Sequence, residues 1–236
     1  MEVNAQKPRR AGIPGDLLGS RVNVKGTSEA DLVPSLRVGG SQFSDAARRT
    51  MAVRWTELIW GDREGYAAMG LGVRPTLVAG KYRYSYFKQS YFRWPGDQDE
   101  LLELGLAEAA DSDVFVCPLL RDRPSRRGSG SAPLPSCWAW IDADPWSQQQ
   151  QRRLDAFETD VVTVLSGGKP DNRHLYVHLG REYEGEEVTA VAARLAKTFE
   201  TDTHGGNNKY LRLPGTLNYK PAAAGGEPSP VVMLPC

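Results

Sequence analysis

Two aspartates, Asp142 and Asp144, close the apolar run CWAWID (137–142) as a D-x-D pair. Side chains two apart on a strand share a face. Two carboxylates on one face repel each other and want a cation between them, and hard oxygen donors select Mg²⁺ or Mn²⁺. A pair of such ions clamps the attacking and leaving oxygens of a phosphoryl or nucleotidyl transfer. Asp202 is the candidate third metal carboxylate, and Glu200 is its competitor. Each of these acids read alone is equally well a solvated loop acid.

A second group lies in the turn 166–174, which carries Ser166, Lys169, Arg173 and His174 around Gly167 and Gly168. Its backbone amides, hydroxyl and cations suit a triphosphate; alone, it reads as a plain hairpin loop. His178 lies four residues on, but no acidic or cysteine partner completes a zinc triad. We read it as structural. A third group follows Asp202: Lys209, Arg212 and Lys220 flank LPGTLN (213–218), a Pro-Gly turn whose backbone and Asn218 offer donors to phosphates or a template. Lys209 and Arg212 are three apart, so on a strand they face opposite ways and only one reaches the site directly.

The elements that would position these groups follow from pattern. CWAWID (137–142), DVVTVLS (160–166), RHLYVHL (173–179) and KYLRL (209–213) read as strands, and SQQQQRRLDAF (147–157) and EEVTAVAARLAKTF (186–199) as helices. The order β-α-β-β-α-β is the split βαβ arrangement. Right-handed crossovers then give a sheet order 4-1-3-2. The end of the first strand (Asp142, Asp144) falls beside the start of the third (Arg173, His174), the turn after the second (Ser166) and the approach to the fourth (Asp202). All the polar clusters of this half meet on one rim.

The N-terminal half is less patterned. Residues 1–40 read as an irregular arm. Ser44-Asp45 caps a helix toward Ile59, the acidic stretch 97–113 holds a short helix, and DVFVCPLL (113–120) reads as a strand. Residues 81–94 carry seven aromatics, four bases and no acid. They suit base stacking and phosphate neutralisation, with Arg83 and Lys88 as template contacts, although an alternating aromatic strand is more often sheet surface or core. The loop 121–131 adds Arg126 and Arg127 as phosphate contacts, or else is a solvated linker.

Composition narrows the field. The chain has 236 residues, 40% hydrophobic and 25% charged, which is ordinary globular usage and enough to bury a core without staples. Lys plus Arg and Asp plus Glu both number 29, so any nucleic-acid affinity must come from local patches. The three cysteines form no C-x-x-C pair, which argues against a disulfide framework and a cysteine zinc site and fits a reducing cytoplasm. No apolar window is long enough for a membrane helix, and the start lacks a signal-peptide core.

Three motifs in order, W-I-D-A-D (140–144), S-G-G with R-H-L-Y (166–168 and 173–176), and Asp202 with R-L-P-G-T-L-N-Y-K (212–220), resemble the archaeo-eukaryotic primase superfamily, in particular the bifunctional primase-polymerase domains of phages, plasmids and integrated elements. The resemblance covers roughly residues 113–221. It implies an α+β fold: an RRM-like (split β-α-β) catalytic palm over 113–236 joined to an N-terminal α/β module over 41–112 that holds template. It implies that Asp142, Asp144 and Asp202 bind two Mg²⁺ or Mn²⁺, that Ser166, Lys169, Arg173 and His174 contact the incoming NTP or dNTP, and that Lys209, Arg212 and Lys220 contact phosphates. Many relatives space the Ser and His two apart. Here they are eight apart, leaving Ser166 and the run Asn172-Arg173-His174 as alternatives for one role. The implied activity is a DNA primase-polymerase working in a bacterial cytoplasm on single-stranded template and primer, with a helicase in trans or in a longer parent chain, and without zinc or membrane. The rival readings are a non-catalytic RRM-like single-strand binder, a rolling-circle initiator (which needs an H-x-H pair absent here) and a template-independent cyclase-like nucleotidyl enzyme.

Overall fold

The computed structural model describes residues 43–125, 130–167, 171–202, 206 and 209–235. The arm 1–40, Arg126, Arg127 and Lys169 lie outside the described residues.

Helix α1 (Asp45–Ile59) starts where expected, with the Ser44 hydroxyl accepting from the Ala47 amide at 3.2 Å. Its buried residues, Ala52, Trp55, Thr56 and Ile59, recur at the three-and-four spacing of one helical face. Strands β1 (Gly65–Val78) and β2 (Lys81–Trp94) form a long hairpin. Its two-residue loop, Ala79-Gly80, has φ of 49° and 76°, the mirror-image turn whose twist matches the strands. Helix α2 (Gln98–Glu108) and strand β3 (Ser112–Val116) follow. The second half runs β4 (Ser136–Ala143), α3 (Gln148–Asp155), β5 (Val161–Leu165), β6 (Arg173–Tyr183), α4 (Gly185–Thr198), β7 (Leu211–Arg212), β8 (Leu217–Asn218), α5 (Lys220–Ala223), β9 (Ser229–Pro230) and β10 (Val232–Met233). Ser147 and Gln150 close a capping box on α3. No helix among the described residues is long and apolar enough to cross a membrane.

Two four-stranded antiparallel sheets result, in the orders β2-β1-β3-β7 and β10-β5-β6-β4. The chain is α+β, as expected. Within the second sheet the 1-3-2 part of the expected order holds as β4-β6-β5. The fourth strand differs: residues 211–212 leave for the first sheet and pair with β3, while β10 takes the free edge beside β5. The reason is electrostatic. Asp113 on β3 is fully buried, and Arg212 of β7 supplies its counter-charge at 3.3 Å while lying over the Phe115 ring. Strand β3, read from sequence as the lead-in to the second half, therefore belongs to the first sheet.

The sheets share one core. Trp55 of α1 meets Tyr176 of β6 edge-on at 5.4 Å and Trp60 at 5.2 Å, and Trp60 meets Trp94 of β2 at 5.0 Å. The helix also pins the turn after β7, because Arg48 Nε donates to the Gly215 carbonyl at 2.8 Å. Gly215 has φ +85°, and a Cβ there would stand 2.3 Å from the Arg48 carbonyl oxygen, which is backbone and cannot swing away. Gly215→Ala is expected to cost more than about 1 kcal/mol, lowering Tm by at least about 2 °C in thermal unfolding. An unchanged Tm would refute this account of the turn.

Candidate active site

Strand pairing builds the site. β4 and β6 lie antiparallel in a register that sets Asp142 opposite His174 and Ala143 opposite Arg173, while β5 sets Val164 opposite His174 on the other side. His174 is thus held mid-sheet, 3% exposed, with Nε2 at 3.7 Å from Asp142 Oδ1. Lys209 arrives from the segment after α4. Its Nζ lies 2.7 Å from Asp142 Oδ2 and 3.8 Å from Asp202 Oδ2. Two carboxylates from distant parts of the chain therefore share one cation. Beneath them is a cavity of about 10 Å³, lined by Asp142, Asp202, Lys209 and the apolar Trp140, Ala192 and Ala196.

The charges have direct consequences. Burial alone would raise the Asp142 pKa, but His174, Lys209 and Arg212 outweigh it and hold the carboxyl below its usual value. Burial drives His174 down to about 4; Asp142 opposes this, and Arg212, Lys209 and Lys220 add to it. His174 is consequently neutral at pH 7, leaving the lysine and arginine to hold Asp142 ionised there. Burial and Arg212 also lower Lys220, against the upward pull of Asp113, Asp142 and Asp144, so Lys220 belongs to the same electrostatic cluster.

The depressed histidine predicts a pH dependence. Unfolded His174 takes up a proton near pH 6.5 and the folded protein only near pH 4, so stability falls as pH drops through that window. The full effect is about 3 kcal/mol, at 1.36 kcal/mol per pH unit. In chelator-treated protein, urea midpoints of His174→Gln should show a flatter dependence from pH 6.5 to 4 than wild type. Parallel curves would refute it.

The other expected site residues divide. Arg212 and Lys220 belong to the electrostatic surroundings of Asp142. Of Lys209 and Arg212, Lys209 contacts Asp142 directly, while Arg212 is bonded to Asp113 and acts on Asp142 through its charge. Asp144 is exposed, one residue past the end of β4. Arg173 points away from Asp142, toward α3, where it donates to Gln151 Oε1 at 3.4 Å. Ser166 is buried, with its amide on the Asn172 carbonyl and its own carbonyl accepting from Asn218. Asn218 is 4% exposed, donates to that carbonyl at 3.0 Å and accepts from the Lys220 amide at 3.0 Å, so it clamps the turn and does not face a template. Arg83 and Lys88 are exposed on β2.

Sequence reasoning missed Asp113. Its carboxylate accepts from Tyr84 Oη at 2.6 Å, Arg212 at 3.3 Å and the Tyr219 amide at 2.6 Å, tying both sides of the P-G-T turn to the first sheet. An acid at the head of an apolar strand was the available signal. Among the buried side-chain polar atoms of the described residues that have no hydrogen-bond partner, two belong to this site: Nδ1 of His174 and Nε of Arg212.

The resemblance implies divalent ions, and the donors can be tested for fit. Among the described residues no group of three or more Asp, Glu, His or Cys could hold a metal, so the three aspartates do not form a closed cage. Asp142 and Asp202 already share a cation, however, and magnesium is commonly held by one or two carboxylates with water and substrate phosphates completing the shell. The pair fits an ion that arrives with a nucleotide.

No protein-family model matches the chain, and a search of curated proteins gives no match. Among solved structures the fold is similar to that of primase RepB′, at 16% identity and TM-score 0.54, over 80% of this chain and 56% of that one. The chain thus spans little more than half of that primase's length. It is also similar to the catalytic domain of primase RepB′ in complex with initiator DNA, at 16% identity and TM-score 0.52, over 79% and 84%. A third similarity, at 16% identity and TM-score 0.44 over 74% and 76%, is to the polymerase domain of Mycobacterium tuberculosis ligase D in complex with DNA. The chain shares its fold with the catalytic domain of primase RepB′.

Proposed function

We propose that the chain is a primase-polymerase: a template-dependent nucleotidyltransferase that makes or extends primers on single-stranded DNA. The observation that carries this reading is the convergence of Asp142 and Asp202 on one cation beside neutral, buried His174, on a fold shared with a primase catalytic domain. The overall reaction joins a 3′-hydroxyl to the α-phosphate of a nucleoside triphosphate and releases pyrophosphate. Asp142 and Asp202 would hold a divalent ion, which would supply neutralisation of phosphate charge and orientation of the reacting oxygens, and Asp144 is the further candidate ligand.

The chain's own groups bind and orient. Lys209, Arg212 and Lys220 present three cations to the triphosphate, and Nε of Arg212 is a buried donor awaiting an acceptor. His174 is neutral, so one ring nitrogen donates a hydrogen bond without adding charge next to Asp142. Its place on the inner strand β6, between β4 and β5, fixes the ring. Asn218 and Asp113 hold the P-G-T turn, and so keep Arg212 and Lys220 in place before substrate arrives. Cytoplasmic location, phage or plasmid origin and a helicase partner remain part of the proposal through the resemblance alone.

The test is synthesis on a single-stranded DNA template with labelled NTPs or dNTPs and Mg²⁺ or Mn²⁺, with and without an annealed primer. Template-dependent products in either format support the reading, and products without template would favour the cyclase-like alternative. Silence in both formats with DNA binding retained would replace it with the single-strand binder.

A further inference from the structure

β3 pairs with β1 only over Met69–Val73, so beyond Val73 the β1–β2 hairpin stands out as a two-stranded ribbon. One face of this hairpin is aromatic. The rings of Tyr84 and Phe87 lie against Gly72 and Gly70, where any Cβ would meet them at 2.6 and 2.5 Å. Phe87 continues to Phe115 at 6.0 Å and to Tyr210 at 5.8 Å, and Tyr84 to Phe115 at 5.9 Å. Tyr82 extends the row, its ring sitting under Lys220 Nζ at 5.4 Å.

This wall is unlike a core. Phe87 is 41% exposed and Tyr82 38%. It also joins the candidate active site directly: Lys220 covers one end, and Arg212, bonded to Asp113, covers Phe115. The strand that carries it holds Lys81, Arg83, Lys88 and Arg93 and no acid. Exposed rings with a one-sided cationic frame match a polyanion that also presents flat apolar faces. An unpaired nucleic-acid strand has both, whereas in a duplex the base faces are covered by their neighbours.

We propose that Tyr82, Tyr84, Phe87 and Tyr210 form a stacking wall for successive bases of a single-stranded nucleic acid, which it leads toward the Asp142 cluster. This rests on the functional reading above and names where its template strand lies. Lys220 stands at the junction, its ammonium over Tyr82 and within charge range of Asp142 and Asp144. The strand's bases contact the wall, and Lys220, over Tyr82, supplies the adjoining cation for its phosphates. Tyr86, 60% exposed, makes no ring contact with these four among the described residues and lies outside the wall.

The test is equilibrium binding by fluorescence anisotropy, without nucleotide or divalent ion, to labelled oligothymidylate and to an abasic strand of the same length. Wild type should bind the thymidylate more tightly. Phe87→Ala and Tyr82→Ala should each weaken thymidylate binding by about fivefold to a hundredfold and leave abasic binding unchanged, which also shows that each variant is folded. Tyr86→Ala should match wild type. Phe87→Leu, which keeps apolar bulk, should fall with Phe87→Ala. Unchanged thymidylate binding in the first two variants, equal loss on both strands, or an equal loss in Tyr86→Ala overturns the proposal. The failures are separable. Base-dependent binding with no nucleotide incorporation keeps the wall and refutes the enzyme; incorporation with wall variants that bind normally does the reverse.

Discussion

Asp142→Asn should abolish nucleotide incorporation while leaving the protein folded and still able to bind single-stranded DNA. Asparagine fills the same volume and keeps the cross-strand place opposite His174, so the register of β4 and β6 is preserved. What it removes is the anion that Lys209 approaches at 2.7 Å and that Asp202 shares through it. A neutral amide is a poor ligand for a hard divalent ion, and losing even an outer-shell partner costs about 10–100-fold in affinity or activity. The expected loss in rate is therefore at least about a hundredfold, read in primer extension at saturating Mg²⁺ or Mn²⁺. Asp202→Asn should follow in the same direction. Asp144→Asn tests the D-x-D reading separately, since Asp144 is exposed and outside the pair that shares Lys209. An Asp142→Asn protein that extends primers at the wild-type rate would refute the assignment.

The second sheet was legible in the sequence because its signals are local. CWAWID and RHLYVHL are short, alternating or apolar runs, each bounded by turn residues, and the split βαβ order forces their antiparallel contact. That is why Asp142 and His174 could be placed side by side before any coordinates. The fourth strand was not legible, because a two-residue strand has little periodicity and chooses its edge by a partner far away in sequence. Here the partner is Asp113, ninety-nine residues from Arg212. Asn218 was misjudged for the same reason: in sequence it is one polar residue in a turn, and only the fold shows its amide spent on Ser166 and Lys220. The aromatic run 81–94 had two readings from composition. The fold divides the run, burying Phe92 and Trp94 in the core and leaving Tyr82 and Phe87 exposed.

Lys209 bears on both the site and its loading. Two carboxylates that share a lysine are held together without a metal, so the site is preorganised. The same ammonium also competes for the oxygens an ion would use. Its neighbours 207 and 208 lie outside the described residues.

Asp113→Ala should be the most damaging substitution outside the carboxylate pair, and its effect should appear first in stability. The carboxylate is fully buried and accepts three hydrogen bonds, from Tyr84 Oη, Arg212 and the Tyr219 amide. Burial and the adjacent Asp113 charge push the Tyr84 phenol well above its ordinary pKa, so Tyr84 remains a donor throughout the working range. Alanine strands that donor, a backbone amide and, most seriously, the Arg212 guanidinium, whose side chain is 8% exposed. Removing one partner of a buried pair leaves an uncompensated charge and costs about 3–5 kcal/mol. That is a large share of the ~5–15 kcal/mol that keeps a domain folded. Urea denaturation should show a markedly lower midpoint with little change in slope. Asp113→Asn, which retains acceptor geometry and loses the charge, should fall between. The double variant Asp113→Ala/Arg212→Met should recover part of the loss, because an apolar replacement for both members no longer buries a bare cation. A midpoint for Asp113→Ala close to wild type, or a double variant less stable than either single one, would show that this pair does not hold β7 to the first sheet.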